Sequence, residues 1–347
     1  MSTGRSTYAG GINFNAPDRP STVTEHYPWQ RTLYDVGIFS DCIYPSIALH
    51  GGLSAIAYGV GRMNNRVQTK DYVWAAAPVI NAWWGAVGRR VVQRGIPISQ
   101  ALGVLSRPER LILAGATLWG GRLLYRLVTR AQKRGRDDAR YDEMKKEPGF
   151  WNKALFTTYL PESLFQVLIT LPMTAPFYHQ GAVLSGYHPF LQSVAVGLFF
   201  TGFALETLAD KQLEEHKDSG ADQHSLMKEG VWSLSRHPNY LGDALIHFSF
   251  PILLYASDML APIELLGSIA NYGFLRYLGG DKATEFSQER RYSVSSQQKH
   301  SDLQKYRQEK NSFWPNLAQE INNSWLWTVL GAGAAGALLE QAMSSFL

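Results

Sequence analysis

The sequence predicts an all-α protein, a polytopic integral membrane bundle of about seven to eight transmembrane helices. Three observations carry that expectation. Charged residues make up only 18% of the 347 positions while 10 Trp and 17 Tyr are present, a balance that suits lipid contact better than a water-facing surface. Apolar stretches approaching the roughly 20 residues that a hydrocarbon core demands recur along the chain. Most of the charge is gathered between them, at 1–30, 131–152, 209–239 and 280–323, which explains a mean hydropathy slightly below zero.

Taken in order, residues 1–33 read as a disordered polar leader, because no apolar run stands behind a basic start as it would in a signal peptide. Residues 34–109 form amino-terminal spans near 34–61 and 71–92, the second interrupted by Pro78 and Asn81. Within 110–316, spans are expected near 110–129, 154–177, 189–209, 240–257 and 262–279. The segment 154–177 carries Pro161, Glu162, Pro172 and Pro176, breaks that a spanning helix tolerates when neighbours satisfy its backbone. Residues 317–347 supply a last hydrophobic helix near 324–346, ending "LLEQAMSSFL". The polar stretch "SVSSQQKHS" at 293–301 is expected to be a surface loop.

Lys and Arg near span ends are retained in the cytoplasm, so they orient the bundle. The segment from Arg130 to Lys146 and the one from Lys282 to Lys310 are both basic and belong on one side. Lys211, Lys217, Lys228 and Arg236 fall there too, while 178–188 and 258–261 contain no Lys or Arg. Arg89, Arg90 and Arg94 break this alternation.

Several classes are disfavoured by absence. A single cysteine, Cys42, excludes an internal disulfide and any multi-cysteine metal site. No HExxH or similar spacing suggests a metal, and His216 and His224 sit in a hydrophilic stretch. Neither common phosphate-binding glycine loop nor a serine-hydrolase elbow is present. The net charge of +4 is spread over loops without a basic, aromatic-interleaved stripe, so nucleic acid is not an expected partner, and no obligate protein partner is predicted.

What remains is a polar constellation at the ends of spans. Glu206 and Asp210 stand four residues apart on one helix face, where lone carboxylates need partners. Arg236, His237, Asn239 and Tyr240 open the next span, with Pro238 in its first turn and Asp243 one turn in. Arg122, Tyr125 and Arg126 lie on adjoining faces of the third span, where a buried Arg could clamp a phosphate or one of the carboxylates through two parallel hydrogen bonds. Singly, each is more often a cap, a snorkelling cation or an interfacial aromatic than a catalytic group. Together they suit an amphiphilic task, gripping the polar end of a cofactor beside a lipid-facing wall.

The pieces "LWGGRLLYRL", "GRDDARYDEM", "ALETLADKQ", "GVWSLSRHPNYLGD" and "RRYSVSSQQKHSDLQKYRQEKNSFWPN" occur in the order found in the steroid 5-alpha-reductase superfamily. The chain resembles that superfamily over roughly 110–316, and within it a branch of membrane proteins defined mainly as a domain of unknown function. The resemblance implies an endoplasmic reticulum enzyme whose carboxy-terminal helices wrap NADPH and deliver hydride to a polarised carbon-carbon double bond of a lipid or sterol-like substrate. It further implies cofactor-binding roles for Glu206, Asp210, Asn239, Asp243 and Arg276, with His237 beside them and Lys211, Lys217, Arg236 and Arg276 taking phosphates. Asp243 stands where these reductases carry Glu, and Gly280 where a His is expected. Tyr125 and Tyr240 are the candidate proton donors. The amino-terminal catalytic residues of the steroid enzymes have no counterpart in 1–109.

Two other readings remain. Isoprenylcysteine and phospholipid methyltransferases carry a similar Arg-His-Pro-x-Tyr-x-Gly and use S-adenosylmethionine, although Glu285 and Glu289 only imperfectly replace their double-Glu helix. A non-catalytic lipid-binding protein could keep the fold after losing the chemistry.

Overall fold

In the computed structural model, which describes residues 38–178, 188–221 and 225–346, the described part of each apolar stretch expected to cross a bilayer is largely helical. The expected leader at 1–33 and His224 lie outside the described residues. The main elements are α1 (Tyr44–Asn64), α2 (Thr69–Trp83), α3 (Arg107–Arg134), α4 (Leu160–Ile169), α5 (Pro189–Asp218), α6 (Pro238–Ala256), α7 (Pro262–Gly273), α8 (Asp281–Ser295), α9 (Gln297–Glu309) and α10 (Ser324–Phe346). Among the described residues no strand occurs.

The expected count of seven to eight spans is not matched by helices that are individually long and apolar enough. Two are, α3 and α5; a third joins them if the bent pair Phe150–Ile169 and Leu171–Phe177, kinked by 59°, counts as one span. The other stretches are helical but short, broken or not apolar enough; α1 and α10 run unbroken for 21 and 23 residues and fall in the last group. Trp84–Gly88 and Phe274–Leu278 are π-helical turns that end α2 and α7, and Pro78 lies inside α2. Such turns open the regular hydrogen-bond ladder and shorten the uninterrupted helix.

Local chemistry sets the boundaries of α3. Ser106 caps its first turn in a reciprocal capping box with Glu109, and Gly135 ends it in the left-handed conformation at φ 67°. The core joins α3, α5 and α6: Ile112, Trp119, Phe199, Ile246, Phe250 and Leu254 are buried together. At the end where α3 begins, Glu340 of α10 accepts from Gln192 of α5 at 2.8 Å and from Arg107 at 2.9 Å.

Two expectations from the sequence change here. The stretch 293–301 is a helix junction, not a loop: α8 runs to Ser295, and Ser296 caps α9 by accepting from the Lys299 N–H. The basic residues that broke the charge alternation are engaged locally. Arg89 lies 4.4 Å from the Tyr178 ring centre, and Arg90 donates to the Ala86 carbonyl at 2.8 Å while facing Glu109. The motif "GRDDARYDEM" docks the basic loop onto the turn between α1 and α2. Asp137 accepts from the Val67 and Gln68 N–H groups, and the Tyr141 hydroxyl donates to Asp71 at 2.7 Å.

Candidate functional site: an ion cluster between helices

α5 and α6 meet through glycine. A Cβ on Gly202 would fall 2.5 Å from the Gly242 carbonyl oxygen, so only bare backbone fits. One turn along α5 from this contact, Glu206 is buried, and Asp210 follows one turn further. α3 supplies their counter-ions. Arg122 contacts Glu206 and donates to Asp210 at 3.0 Å, and Arg126 reaches the other Asp210 oxygen at 2.9 Å. Two guanidiniums thus balance two carboxylates, the arrangement a low-dielectric interior requires.

Asp243 on α6 takes its partners from elsewhere. One oxygen accepts from the Trp119 indole N–H at 2.8 Å and the other from the Asn271 amide at 3.2 Å. His247, one turn along α6, is buried, and its ring meets Trp119 edge to face at 4.8 Å. Trp119, His247 and Asn271 escaped the sequence reading. The four-residue spacing of Asp243 and His247 was the available signal for one of them, whereas Trp119 and Asn271 come from other helices and leave no local trace.

The turn "GVWSLSRHPN" is built separately. Gly230 takes φ 65°, and a side chain there would collide with Gln212, whose carbonyl accepts from the Val231 N–H at 2.9 Å. The Trp232 indole donates to the Ala209 carbonyl at 3.0 Å, tying the turn to the end of α5. Arg236 and His237 donate their backbone N–H groups to the carbonyls of Asn311 and Ser312, both at 3.0 Å. Their side chains converge on Glu285 of α8: Arg236 forms two hydrogen bonds of 2.8 and 3.1 Å, and His237 Nε2 lies 3.1 Å away. Burial works against charge on Glu285, but the hydrogen bonds and positive charge of His237 and Arg236 outweigh it and hold the carboxyl down at about 2. Burial pushes the His237 pKa below its ordinary value, with Glu285 opposing.

The sequence-predicted residues therefore fall into distinct groups. Glu206 and Asp210 share Arg122, with Asp243 nearby on the packed helix. Asn239 lies one turn before Asp243, and its Oδ1 is buried without a hydrogen-bond partner among the described residues, as are Glu206 Oε2 and Thr207 Oγ1. Arg236 and His237 are held by Glu285 and the 306–313 segment. Arg276 contacts Asp281, donates to Ser312 at 2.8 Å and lies 5.0 Å from the Phe313 ring centre. The Tyr240 hydroxyl is 3.0 Å from Thr284. Lys217 is exposed in the last turn of α5, and Tyr125 is 72% exposed, outside the cluster made by its neighbours Arg122 and Arg126. No group of three or more His, Cys, Asp or Glu residues suited to a metal occurs among the described residues.

An apolar cavity of about 80 Å³ lies further along the same three helices, toward the start of α3, lined by Leu111, Gly115, Val196, Phe199, Phe250 and Leu253, among others. Gly115 lies one turn from Trp119, and Phe250 lies one turn from His247. Ion pairs and a hydrocarbon wall thus sit side by side along α3, α5 and α6.

Among the described residues the fold is all-helical, encloses a buried arginine-carboxylate cluster, and has two to three helices long and apolar enough to cross a bilayer, as is consistent with a membrane protein. The chain belongs to the family described as protein of unknown function DUF1295, which matches residues 57–309. It is 25% identical over 224 residues to the uncharacterized protein C594.04c of Schizosaccharomyces pombe, a match covering 57% of this chain and 60% of that protein. No solved structure matches the chain.

Proposed function

We propose that this protein is a membrane-embedded NADPH-dependent reductase of the steroid 5-alpha-reductase superfamily, acting on a carbon-carbon double bond of a lipid or sterol-like substrate. The observation that carries the reading is the convergence of Glu206 and Asp210 on Arg122, beside Asn239 and Asp243 across the Gly202–Gly242 contact. In this reading the shorter helices complete a bundle of seven to eight spans in the endoplasmic reticulum membrane.

The residues fit one half of the dinucleotide better than the other. Glu206 Oε2, Thr207 Oγ1 and Asn239 Oδ1 are buried acceptors without partners among the described residues, suited to ribose hydroxyls and a carboxamide N–H. Arg236 and Arg276 do not fit as phosphate ligands, because Glu285, Asp281, Ser312 and backbone carbonyls already engage them. In this reading the phosphates are met at the ends of α3 and α5, by Lys217 in the last turn of α5 and by Arg130, whose guanidinium also lies 3.6 Å from Asp138.

When bound, NADPH supplies hydride to an electron-poor carbon. The chain's own groups orient and exclude. Arg122 holds Glu206 and Asp210 in place, the apolar wall along α3, α5 and α6 meets the hydrocarbon of the substrate, and Tyr240 donates the proton of its hydroxyl to the adjacent carbon. A methyltransferase reading has one observation in its favour: Glu285 and Glu289 on α8 both meet Arg307, and Glu285 reaches the Arg-His pair.

Equilibrium binding to the purified full chain in detergent separates these readings. Saturable NADPH binding is expected. Retention of S-adenosylmethionine with no response to NADPH, or binding of neither, overturns the proposal.

A further inference from the structure

α8 sorts its side chains by charge. Its acids, Asp281, Glu285 and Glu289, are all held by arginines of the fold: Arg276 contacts Asp281, Arg236 and Arg307 meet Glu285, and Arg307 meets Glu289 at 2.7 Å. Its cations, Lys282, Arg290 and Arg291, are exposed and rest on rings instead. Lys282 Nζ lies 4.5 Å from the Tyr277 ring centre, and the guanidiniums of Arg290 and Arg291 lie 5.8 and 5.1 Å from those of Phe286 and Tyr292. None of the three has an ion-pair partner among the described residues. Glu143, whose charge reaches Arg290, is itself paired with Lys146 at 2.6 Å.

The face that shows these cations is also apolar. Phe286 is 63% exposed and Val294 89%. With Lys282 and Arg290 they recur every four residues, so the helical period stacks them along one side. Tyr277 and Leu278, both exposed, precede them in the π-helical turn that ends α7. A side chain on Gly280 would collide with the Leu275 carbonyl, so the chain turns sharply where apolar α7 stops and polar α8 begins. A wholly aqueous neighbour accounts for the cations but not for Phe286 and Val294, and a neutral lipid surface accounts for the reverse. A lipid surface with negative headgroups accounts for both, since rings and hydrocarbon enter the headgroup boundary while Lys and Arg reach its charges.

We propose that the outer face of α8, built on Lys282, Phe286, Arg290 and Val294, docks on the anionic headgroups of the leaflet in which the chain is embedded. The opposite face carries Glu285, so docking fixes the helix that clamps Arg236 and His237 at the membrane surface. The inference rests on the membrane-embedded part of the proposed function and on none of its chemistry, so its test contains no nucleotide.

The full chain carrying Val294→Cys is labelled with a thiol-reactive fluorophore, which the buried Cys42 does not reach. It is placed in nanodiscs of phosphatidylcholine alone or with about 30 mol% phosphatidylserine. Quenching by acrylamide, an uncharged reagent, should be roughly twofold weaker in the anionic discs. That protection should fade as NaCl is raised from about 0.1 to about 1 M, because the screening length shortens. With Lys282→Glu, Arg290→Glu and Arg291→Glu combined, the two discs should quench alike while melting in detergent matches the parent, since these side chains are exposed. Should the combined variant fail to fold, the salt dependence of the parent decides. Equal quenching in both discs, which leaves the face to a protein partner, overturns the proposal, as does protection that survives high salt or the three substitutions. A chain that does not enter the discs at all refutes the membrane reading itself, and the docking with it.

Discussion

Gly202 and Gly242 touch backbone to backbone: a Cβ on Gly242 would lie 2.6 Å from the Gly202 carbonyl oxygen and 2.6 Å from the Glu206 N–H nitrogen. This contact sets the distance between α5 and α6, and with it the placement of Glu206 against Asp243. Gly242→Ala should destabilise the protein by about 1–3 kcal/mol, the usual cost of overpacking. Gly121→Ala, where no atom lies within 4 Å of the added carbon, should leave the melting temperature in detergent unchanged or slightly raised. Equal melting of the two variants would show that the helices are not held at this contact.

Arg122 bridges two buried carboxylates, so its removal leaves them facing each other. Arg122→Ala should cost about 3–5 kcal/mol, the penalty for breaking a buried ion pair from one side. Glu206→Gln combined with Asp210→Asn in the same background should recover part of that loss. Thermal or denaturant unfolding of the single and triple variants measures the recovery, and a triple variant no more stable than the single one refutes the pairing.

The clamp at Glu285 makes stability depend on pH. The folded carboxyl sits at about 2, below its unfolded value near 4.3, so its contribution is complete above that unfolded value and is lost as pH falls toward about 2. The His237 pKa is also lowered by burial; the unfolded ring binds a proton first, near pH 6.5, and stability again falls with pH. Unfolding midpoints measured from pH 7.5 down to pH 3 should therefore decline first below about 6.5 and more steeply below about 4.3. In His237→Gln the upper part of that decline should vanish. A flat profile in the wild type would contradict both assignments.

Residues that touch a cofactor and residues that hold the fold should separate in a two-readout experiment. Asn239→Ala should weaken NADPH binding tenfold or so while melting within about 1 kcal/mol of wild type, since it removes an acceptor that has no protein partner. Arg236→Ala should do the reverse. It takes one of several donors from Glu285 and a donor from the carbonyls of Arg307 and Lys310, so the loss appears in stability. Should Arg236→Ala abolish nucleotide binding without altering melting, the turn belongs to the phosphate site after all.

Much of the cluster could be anticipated from spacing. Glu206 and Asp210, like Arg122 and Arg126, are four apart, and periodicity alone places each pair on one face. A buried acid and a buried base on neighbouring spans have few partners other than each other, because hydrocarbon offers none. Glu285 was harder to foresee, since 48 residues of chain separate it from His237 and only the return of α8 and the 306–313 segment closes that distance. Tyr125 shows the opposite failure: its sequence neighbours are both in the cluster, yet the same helical period turns its ring outward.

The order of apolar and charged segments determined by itself that this chain is helical, where its apolar helices lie, and which side chains share a face, but not that 293–301 joins two helices. Those properties are local, set by the 3.6-residue period and by capping and breaking residues. Which carboxylate meets which guanidinium, that Arg236 and Arg276 pair with Glu285 and Asp281, and that His247 packs its ring against Trp119 were decided only by tertiary packing. They depend on how closely α3, α5 and α6 approach and at what register, and close approach is set where two glycines from distant parts of the chain happen to meet.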